Sequence, residues 1–299
     1  MKKLVNFLSL FFISYMLPAQ NLTSYQASVE QWHANRIADL KLEDGWLNLE
    51  GLFWLHKGVN TLGSAKQNDC FYDNPNFPSY LGDFIVEGDS VVWVNQIENG
   101  ALVNTQKITK GKKITVFKWD KDSEKAVSST FKRFQWVVIK REDKIGIRFR
   151  NLDSKTLTGF KGIDRFQVDP KWKIKAVLEK PQDNFLMITN VLGQTTAQKN
   201  AGTLKFTIDG KAYSLDVIDE GGKTYFITFA DATSGKTTYG AGRFIVVNKP
   251  SADGNTEIDF NLAYNPPCAF TAFATCPLPP PQNRLSIAIP AGEKNFGHH

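Results

Sequence analysis

The side chains of this sequence that could do chemistry are concentrated near its C-terminus, around strand ends and one proline-rich segment, YNPPCAFTAFATCPLPPPQNR (264–284). An arginine there can hold an anionic group, bidentately when the group is a carboxylate. Amide side chains supply donors and acceptors, and tyrosines supply an aromatic wall. The pattern predicts a site for a small molecule or glycan formed by Tyr239, Arg243, Asn261, Tyr264, Asn265, Asn283 and Lys294.

Two carboxylates in the same part of the chain define an alternative. Asp259 and Glu293 could act as general acid and base, which would make the protein a hydrolase that uses the same pocket. A third interpretation is a structural or partner-binding protein. In that case the proline-rich segment closes one end of a barrel, and its buried amides and charges satisfy one another.

The proline-rich segment should be rigid. Its six prolines fix φ and remove backbone donors. Long loops without secondary structure are usually functional or disordered, and the aromatic residues and cysteines argue against disorder. Cys268 and Cys276 are close enough in sequence to form a disulfide if the prolines fold the segment back. Cys70 is then expected to be a buried free thiol.

The sequence lacks the motifs of several functional classes. The stretch SGKT (234–237) resembles a phosphate-binding loop, but Ala230 stands where that motif needs glycine. The sequence has neither GxSxG nor HExxH, and no Cys/His set has zinc spacing. We therefore predict no metal and no cofactor. The formal net charge of +6 is spread along the chain, so nucleic-acid binding is not expected.

The N-terminus has the pattern of a secretory signal peptide. Lys2 and Lys3 precede an apolar stretch, 4–17, which is followed by a small residue, Ala19. The apolar stretch is shorter than the roughly 20 residues of a membrane-spanning helix. We expect cleavage after Ala19, export to the periplasm or beyond, and no membrane span in the mature protein.

The remaining chain predicts a mostly β fold with one N-terminal helix. Thr23 and Gln26 have the spacing of a capping box, and the helix should end by Gly45. Short runs rich in β-branched and aromatic residues follow, separated by turn signals. Asn99-Gly100 and Asp209-Gly210 are the dipeptides expected in two-residue hairpins.

Two units are predicted after the signal peptide (1–19). Residues 20–165 comprise the helix and a β-sandwich-like domain, and residues 166–299 form a β-barrel-like domain that carries the proline and cysteine loop. The boundary is placed where clean periodicity is lost, within 160–181.

The sequence resembles known families at two levels. Within residues 51–95, GVNTLGSAKQND (58–69) is similar to the early strands of a forkhead-associated domain, which implies a β-sandwich. No Ser-x-x-His follows Asp69, so the resemblance does not imply phosphopeptide binding. Fold similarity does not carry function.

A broader resemblance is to an exported bacterial family known as a domain of unknown function, DUF family 1684. GWLNLEGLFWLHKGVNTLGS (45–64), TTYGAGRF (237–244), DFNLAYNPPCAFTAFATCPLPPPQNRL (259–285) and AGEK (291–294) carry it, together with Asn68-Asp69. Cys70 departs from the expected pattern. The family has no established activity, so the resemblance implies no catalytic residue.

Overall fold

The computed structural model describes residues 23–120 and 123–297. The chain is mostly β, with an N-terminal helix, two packed sheets in the N-terminal half and a nearly closed, barrel-like sheet in the C-terminal half, as predicted. The predicted signal peptide lies outside the described residues. Within the described residues, no helix is long and apolar enough to cross a membrane.

Helix α1 spans Ser24–Leu40 and begins with the predicted capping box. The Thr23 hydroxyl accepts a hydrogen bond from the Gln26 N–H at 3.2 Å, and the Gln26 side chain accepts one from the Thr23 N–H at 3.0 Å. These bonds satisfy backbone donors that have no partner within the helix. The helix ends at Leu40, before the predicted stop at Gly45.

Among the described residues, twelve strands and a short helix form the N-terminal half. They are β1 (Leu49–Trp54), β2 (Gly58–Gly63), β3 (Cys70–Phe71), β4 (Gly82–Glu87), β5 (Ser90–Asn95), β6 (Leu102–Val103), β7 (Gln106–Lys107), β8 (Lys113–Asp120), β9 (Ser123–Ala126), β10 (Ser129–Phe131), β11 (Phe134–Arg141), β12 (Lys144–Asn151) and α2 (Lys155–Gly159). One sheet has the order β1-β12-β11-β10-β6-β7, and the other β3-β2-β4-β5-β8-β9.

The two sheets share one aromatic core, as expected for a sandwich. Trp93 of β5 and Trp136 of β11 come from different sheets, and their ring centroids lie 5.4 Å apart. Phe84, Phe117 and Phe149 are also fully buried there. Alternation of apolar and polar residues along each strand turns one row of side chains into this core.

The hairpin predicted at Asn99-Gly100 is wrong. β5 and β6, on either side of it, belong to different sheets. Asn99 has positive φ, but Gly100 does not, so the pair cannot form the expected turn. Gly100 is needed instead for close packing, because a Cβ there would overlap the Asn95 side chain. Asn95 in turn donates to the carbonyls of Ile97 and Ile108 and fixes this loop.

Seven strands form the C-terminal half: β13 (Lys173–Glu179), β14 (Phe185–Thr189), β15 (Thr195–Ile208), β16 (Lys211–Ile218), β17 (Thr224–Phe229), β18 (Arg243–Asn248) and β19 (Asn255–Asp259). Their order is β18-β17-β16-β15-β13-β19, with β14 also paired to β15. The Thr256 hydroxyl donates to the Asn248 carbonyl at 2.9 Å, which brings the two edge strands together. The hairpin predicted at Asp209-Gly210 is confirmed, with positive φ at both residues.

The predicted boundary at residue 165 falls in the connection between α2 and β13. The division into two domains stays a prediction, and α1 contacts the C-terminal half directly. The Tyr25 hydroxyl donates to both carboxylate oxygens of Asp259, and the Arg36 guanidinium donates to the Asn265 carbonyl.

Candidate functional site

Arg243, the predicted anion-binding residue, lies inside one end of the barrel and is 1% exposed. Its Nη2 donates to Asp231 Oδ2 at 2.7 Å and to the Ile289 carbonyl at 3.0 Å, and its Nη1 donates to the Ala291 carbonyl. Burial lowers the pKa of Arg243, and the Asp231 carboxylate opposes that shift. These bonds hold the C-terminal segment against the barrel, and they leave the guanidinium enclosed by the chain's own groups.

The three predicted asparagines also hydrogen-bond to the chain itself. Asn283 donates to the carbonyls of Asp216 and Thr228, both at 2.9 Å, and accepts from the Asp216 N–H. Asn261 donates to the Tyr25 hydroxyl, and Asn265 donates to the Lys294 carbonyl. All three asparagines are buried. Buried amides with such partners join separate segments of backbone.

The two predicted catalytic carboxylates, Asp259 and Glu293, also accept hydrogen bonds from other groups of the chain. Asp259 accepts from Tyr25 and from the Asn261 N–H. Glu293 is 1% exposed, accepts from the Asn265 N–H at 2.7 Å and lies 3.5 Å from Arg36 Nε. Burial raises the pKa of Glu293, and Arg36 opposes that shift. A general acid or base must come within hydrogen-bond reach of its substrate, and neither carboxyl is among the residues that line the clefts of the described chain.

The remaining predicted residues lie around the loop. The Tyr239 hydroxyl donates to the Cys268 carbonyl at 3.2 Å, and the Lys294 ammonium lies over the Phe166 ring. Tyr264 lines a small cleft of about 330 Å³ beside Arg36, whose guanidinium carbon lies 4.8 Å from the Tyr264 ring centroid. Burial raises the pKa of Tyr264 to about 12.

The predicted disulfide between Cys268 and Cys276 is present, with Cα atoms 6.2 Å apart. The loop that it closes joins distant parts of the chain. The Thr271 hydroxyl donates to the Leu49 carbonyl of β1 at 2.8 Å. On the other side, the Cys276 carbonyl accepts from the Val191 N–H beside β14. Cys70 is a buried free thiol, as expected.

A cleft of about 900 Å³ lies between this loop and one end of the first sheet. We call it the Tyr72 cleft. It is lined by Glu50, Tyr72, Asp73, Asn74, Pro75, Asn76, Lys132, Arg133, Phe134, Asn151, Asp153, Lys155 and Phe273. Phe134 and Asn151 face each other across β11 and β12, so strand register alone brings them together.

Three polar side chains are joined in this cleft. Tyr72 donates to Glu50 Oε2, and Asn151 Nδ2 donates to the same oxygen at 3.0 Å. Burial and the bond to Glu50 raise the pKa of Tyr72, which keeps its hydroxyl protonated. Glu50 is the extra residue of a β-bulge, since Leu49 pairs with Arg150 and Gly51 with Phe149. Bulges commonly redirect a side chain next to a binding site.

The cleft combines balanced charge with aromatic surface. Its lining has three acidic and three basic side chains, so its formal charge is zero. Arg133 Nε and Asp153 Oδ1 already form an ion pair at 3.2 Å. Three asparagines and three aromatic residues complete the lining with Pro75, and Phe273 from the disulfide loop is 37% exposed.

Sequence reasoning did not find this cleft, because its residues come from five separate segments of the chain. The run CFYDNPNF (70–77) was the available signal, since it places a tyrosine beside an aspartate and two asparagines. Among the residues that the structure describes, no group of three or more His, Cys, Asp or Glu side chains could hold a metal ion.

Part of the chain matches a protein family of unknown function. A family described as "Protein of unknown function (DUF1684)" matches residues 158–294, which confirms the predicted resemblance over that range. The motif at 45–64 lies outside the match, and the exported bacterial character stays a prediction. No curated protein matches the chain.

Two solved structures are similar at low TM-score. An uncharacterized protein from Haloarcula marismortui is 29% identical, with 46% of this chain and 78% of that chain covered and a TM-score of 0.39. The N-terminal FHA domain of Rad53p from S. cerevisiae, in complex with a phosphothreonine peptide, is 12% identical. There 34% of this chain and 73% of that chain are covered, with a TM-score of 0.19.

Proposed function

We propose that the protein is a binding module for a neutral, polyhydroxylated ligand such as a sugar residue of a glycan, and that the ligand occupies the Tyr72 cleft. The observation that carries the proposal is the bonded set Glu50, Tyr72 and Asn151 in a cleft that also receives exposed Phe273. The disulfide loop is the only contribution of the C-terminal half to this lining, so the proposed site lies mainly in the N-terminal half.

The chemistry of the lining supports this ligand class. Each sugar hydroxyl both donates and accepts, so it can pair with carboxylates, amides and ammonium groups together. The lining carries equal numbers of acidic and basic side chains, so the cleft has no local excess charge that would favour an anion or a cation. The exposed ring of Phe273 offers an apolar face on which the C–H surface of a sugar can pack.

Isothermal titration of the purified protein against mono- and oligosaccharides tests the proposal. Phe273→Ala should weaken binding by roughly two- to twelvefold, the loss expected for one aromatic contact of about 0.5–1.5 kcal/mol. Phe185→Ala is the matched control, because Phe185 is 61% exposed and does not line the cleft. It should leave the affinity unchanged.

Two results would contradict the proposal. One is the absence of binding to every saccharide tested. The other is equal affinity of wild-type protein and the Phe273→Ala variant for a saccharide that does bind, because the ligand would then occupy another place.

We also propose that the protein is exported and acts in an oxidising compartment, the periplasm or the exterior. The Cys268–Cys276 disulfide and the predicted signal peptide support this. N-terminal sequencing of protein recovered from the periplasm or medium should begin at Gln20. Recovery only from the cytoplasm, with Met1 retained, would contradict it.

A further inference from the structure

A second cleft lies on the other side of the disulfide loop. Its volume is about 480 Å³, and it lies between the β11–β12 turn, the β14–β15 hairpin and the loop. We call it the Gln198 cleft. It is lined by Lys140, Arg141, Glu142, Ile188, Asn190, Gln194, Thr196, Gln198, Ile218, Glu220, Phe226, Thr275 and Pro277.

The Gln198 cleft repeats the chemistry of the Tyr72 cleft. Phe226, with Ile188 and Ile218, gives it an apolar floor. Three side-chain amides and two threonine hydroxyls supply neutral donors and acceptors. Two acidic and two basic residues again give a formal charge of zero, and Lys140 is paired with Asp89 at 2.7 Å.

The two clefts meet at the disulfide loop. Phe273 lines the Tyr72 cleft and Thr275 lines the Gln198 cleft. Two residues of chain span at most about 7 Å, so the walls that these residues form are close together. Ala274 between them is 2% exposed and packs in the cluster of Phe244 and Cys276, so this part of the loop is held in place between the two clefts.

Strand β11 gives the distance that the clefts cover together. Its first residue, Phe134, lines the Tyr72 cleft, and Lys140 near its end lines the Gln198 cleft. Six residues of antiparallel strand extend about 20 Å. A disaccharide is too short to reach along that length, whereas a linear oligosaccharide can.

We propose that the two clefts are subsites for one linear oligosaccharide, which crosses the disulfide loop by way of Phe273 and Thr275. This inference rests on the proposed function. It specifies the ligand as a chain of several sugars and adds a second binding site. A ligand that occupies both subsites gains affinity because its second contact is intramolecular. A monosaccharide or disaccharide fills only the Tyr72 cleft.

Titration with two oligosaccharide series, chito- and malto-oligosaccharides of one to six residues, tests the inference. In the series that binds, affinity should rise at least about tenfold from disaccharide to hexasaccharide. Gln198→Ala should remove most of that rise and leave disaccharide affinity unchanged. Phe273→Ala should weaken binding of both the disaccharide and the hexasaccharide. Gln67→Ala, at an exposed glutamine outside both clefts, is the matched control and should behave as wild type.

The outcomes separate the inference from the function on which it rests. If affinity stops rising at the disaccharide, the second subsite in the Gln198 cleft is overturned, and the proposed site in the Tyr72 cleft remains. A rise with length that Gln198→Ala does not alter also overturns it, because the added contacts would lie elsewhere. Failure of every saccharide to bind overturns the proposed function, and the inference with it.

Discussion

At the scale of single residues, the clearest feature is a buried charge network at the end of the barrel. Arg243 and Asp231 form an ion pair with side chains that are 1% and 0% exposed. The Nη1 and Nη2 groups of Arg243 also donate to backbone carbonyls of the C-terminal segment. Removing one partner of such a pair leaves the other as an uncompensated buried charge, which is strongly destabilising.

We therefore predict that Arg243→Ala lowers the free energy of unfolding by about 3–5 kcal/mol. Lys205→Ala, which removes an exposed ion pair with Glu179, should cost less than about 1 kcal/mol. Urea unfolding of both variants measures the difference. Equal, small losses in the two variants would contradict a structural role for Arg243 and would favour its predicted role in ligand binding.

At the scale of elements, the disulfide loop is a connector. Its Thr271 hydroxyl donates to a carbonyl of β1, and its Cys276 carbonyl accepts from a backbone N–H just after β14. The loop also places Phe273 in the Tyr72 cleft. The proline-rich composition and the disulfide both restrict the unfolded chain more than the folded one. The sequence showed that this segment is special, but its contacts with β1 join residues more than two hundred positions apart.

Replacing both cysteines, as Cys268→Ala with Cys276→Ala, should lower the free energy of unfolding by about 2–3 kcal/mol, the chain-entropy value for so short a loop. Chymotrypsin should also cleave the variant faster after exposed Phe273. Denaturant unfolding and timed proteolysis measure the two effects.

Wild-type protein treated with a reducing agent is the control. It should lose the same stability, whereas the double variant should be insensitive to the reagent. If reduction leaves the wild type unchanged in both assays, the prolines alone hold the loop.

At the scale of the whole molecule, the two halves are connected by more than one element. Helix α1 bonds to the C-terminal half through Tyr25 and Arg36, and the disulfide loop bonds back to β1. Trp46 packs against two apolar clusters, one with Ala269 and Phe270 and one with the disulfide. These contacts couple the stability of one half to that of the other.

Because of this coupling, we predict one cooperative transition in differential scanning calorimetry, with a calorimetric enthalpy that matches the van't Hoff enthalpy. The control is a fragment of residues 166–297, which lacks α1 and should melt at a lower temperature than the full chain. Two resolved transitions in the full chain, one of them reproduced by the fragment, would establish the predicted division into independent domains.

The sequence by itself determined the features that depend on neighbouring residues. The capping box of α1, the alternation along the strands and the turn at Asp209-Gly210 all follow from local spacing. Cys268 and Cys276 could be paired because they are only eight positions apart. The mostly β class then followed from the number of such strands.

Only the tertiary structure decided which residues meet. Arg243 and Asn283 carry chemistry suited to a site, yet the fold encloses them, because backbone groups at the barrel end need their hydrogen bonds. Glu50, Asn151 and Phe273 have no local pattern in common. A β-bulge, a strand register and a disulfide loop bring them to one cleft, and contacts over such sequence distances cannot be read from local spacing.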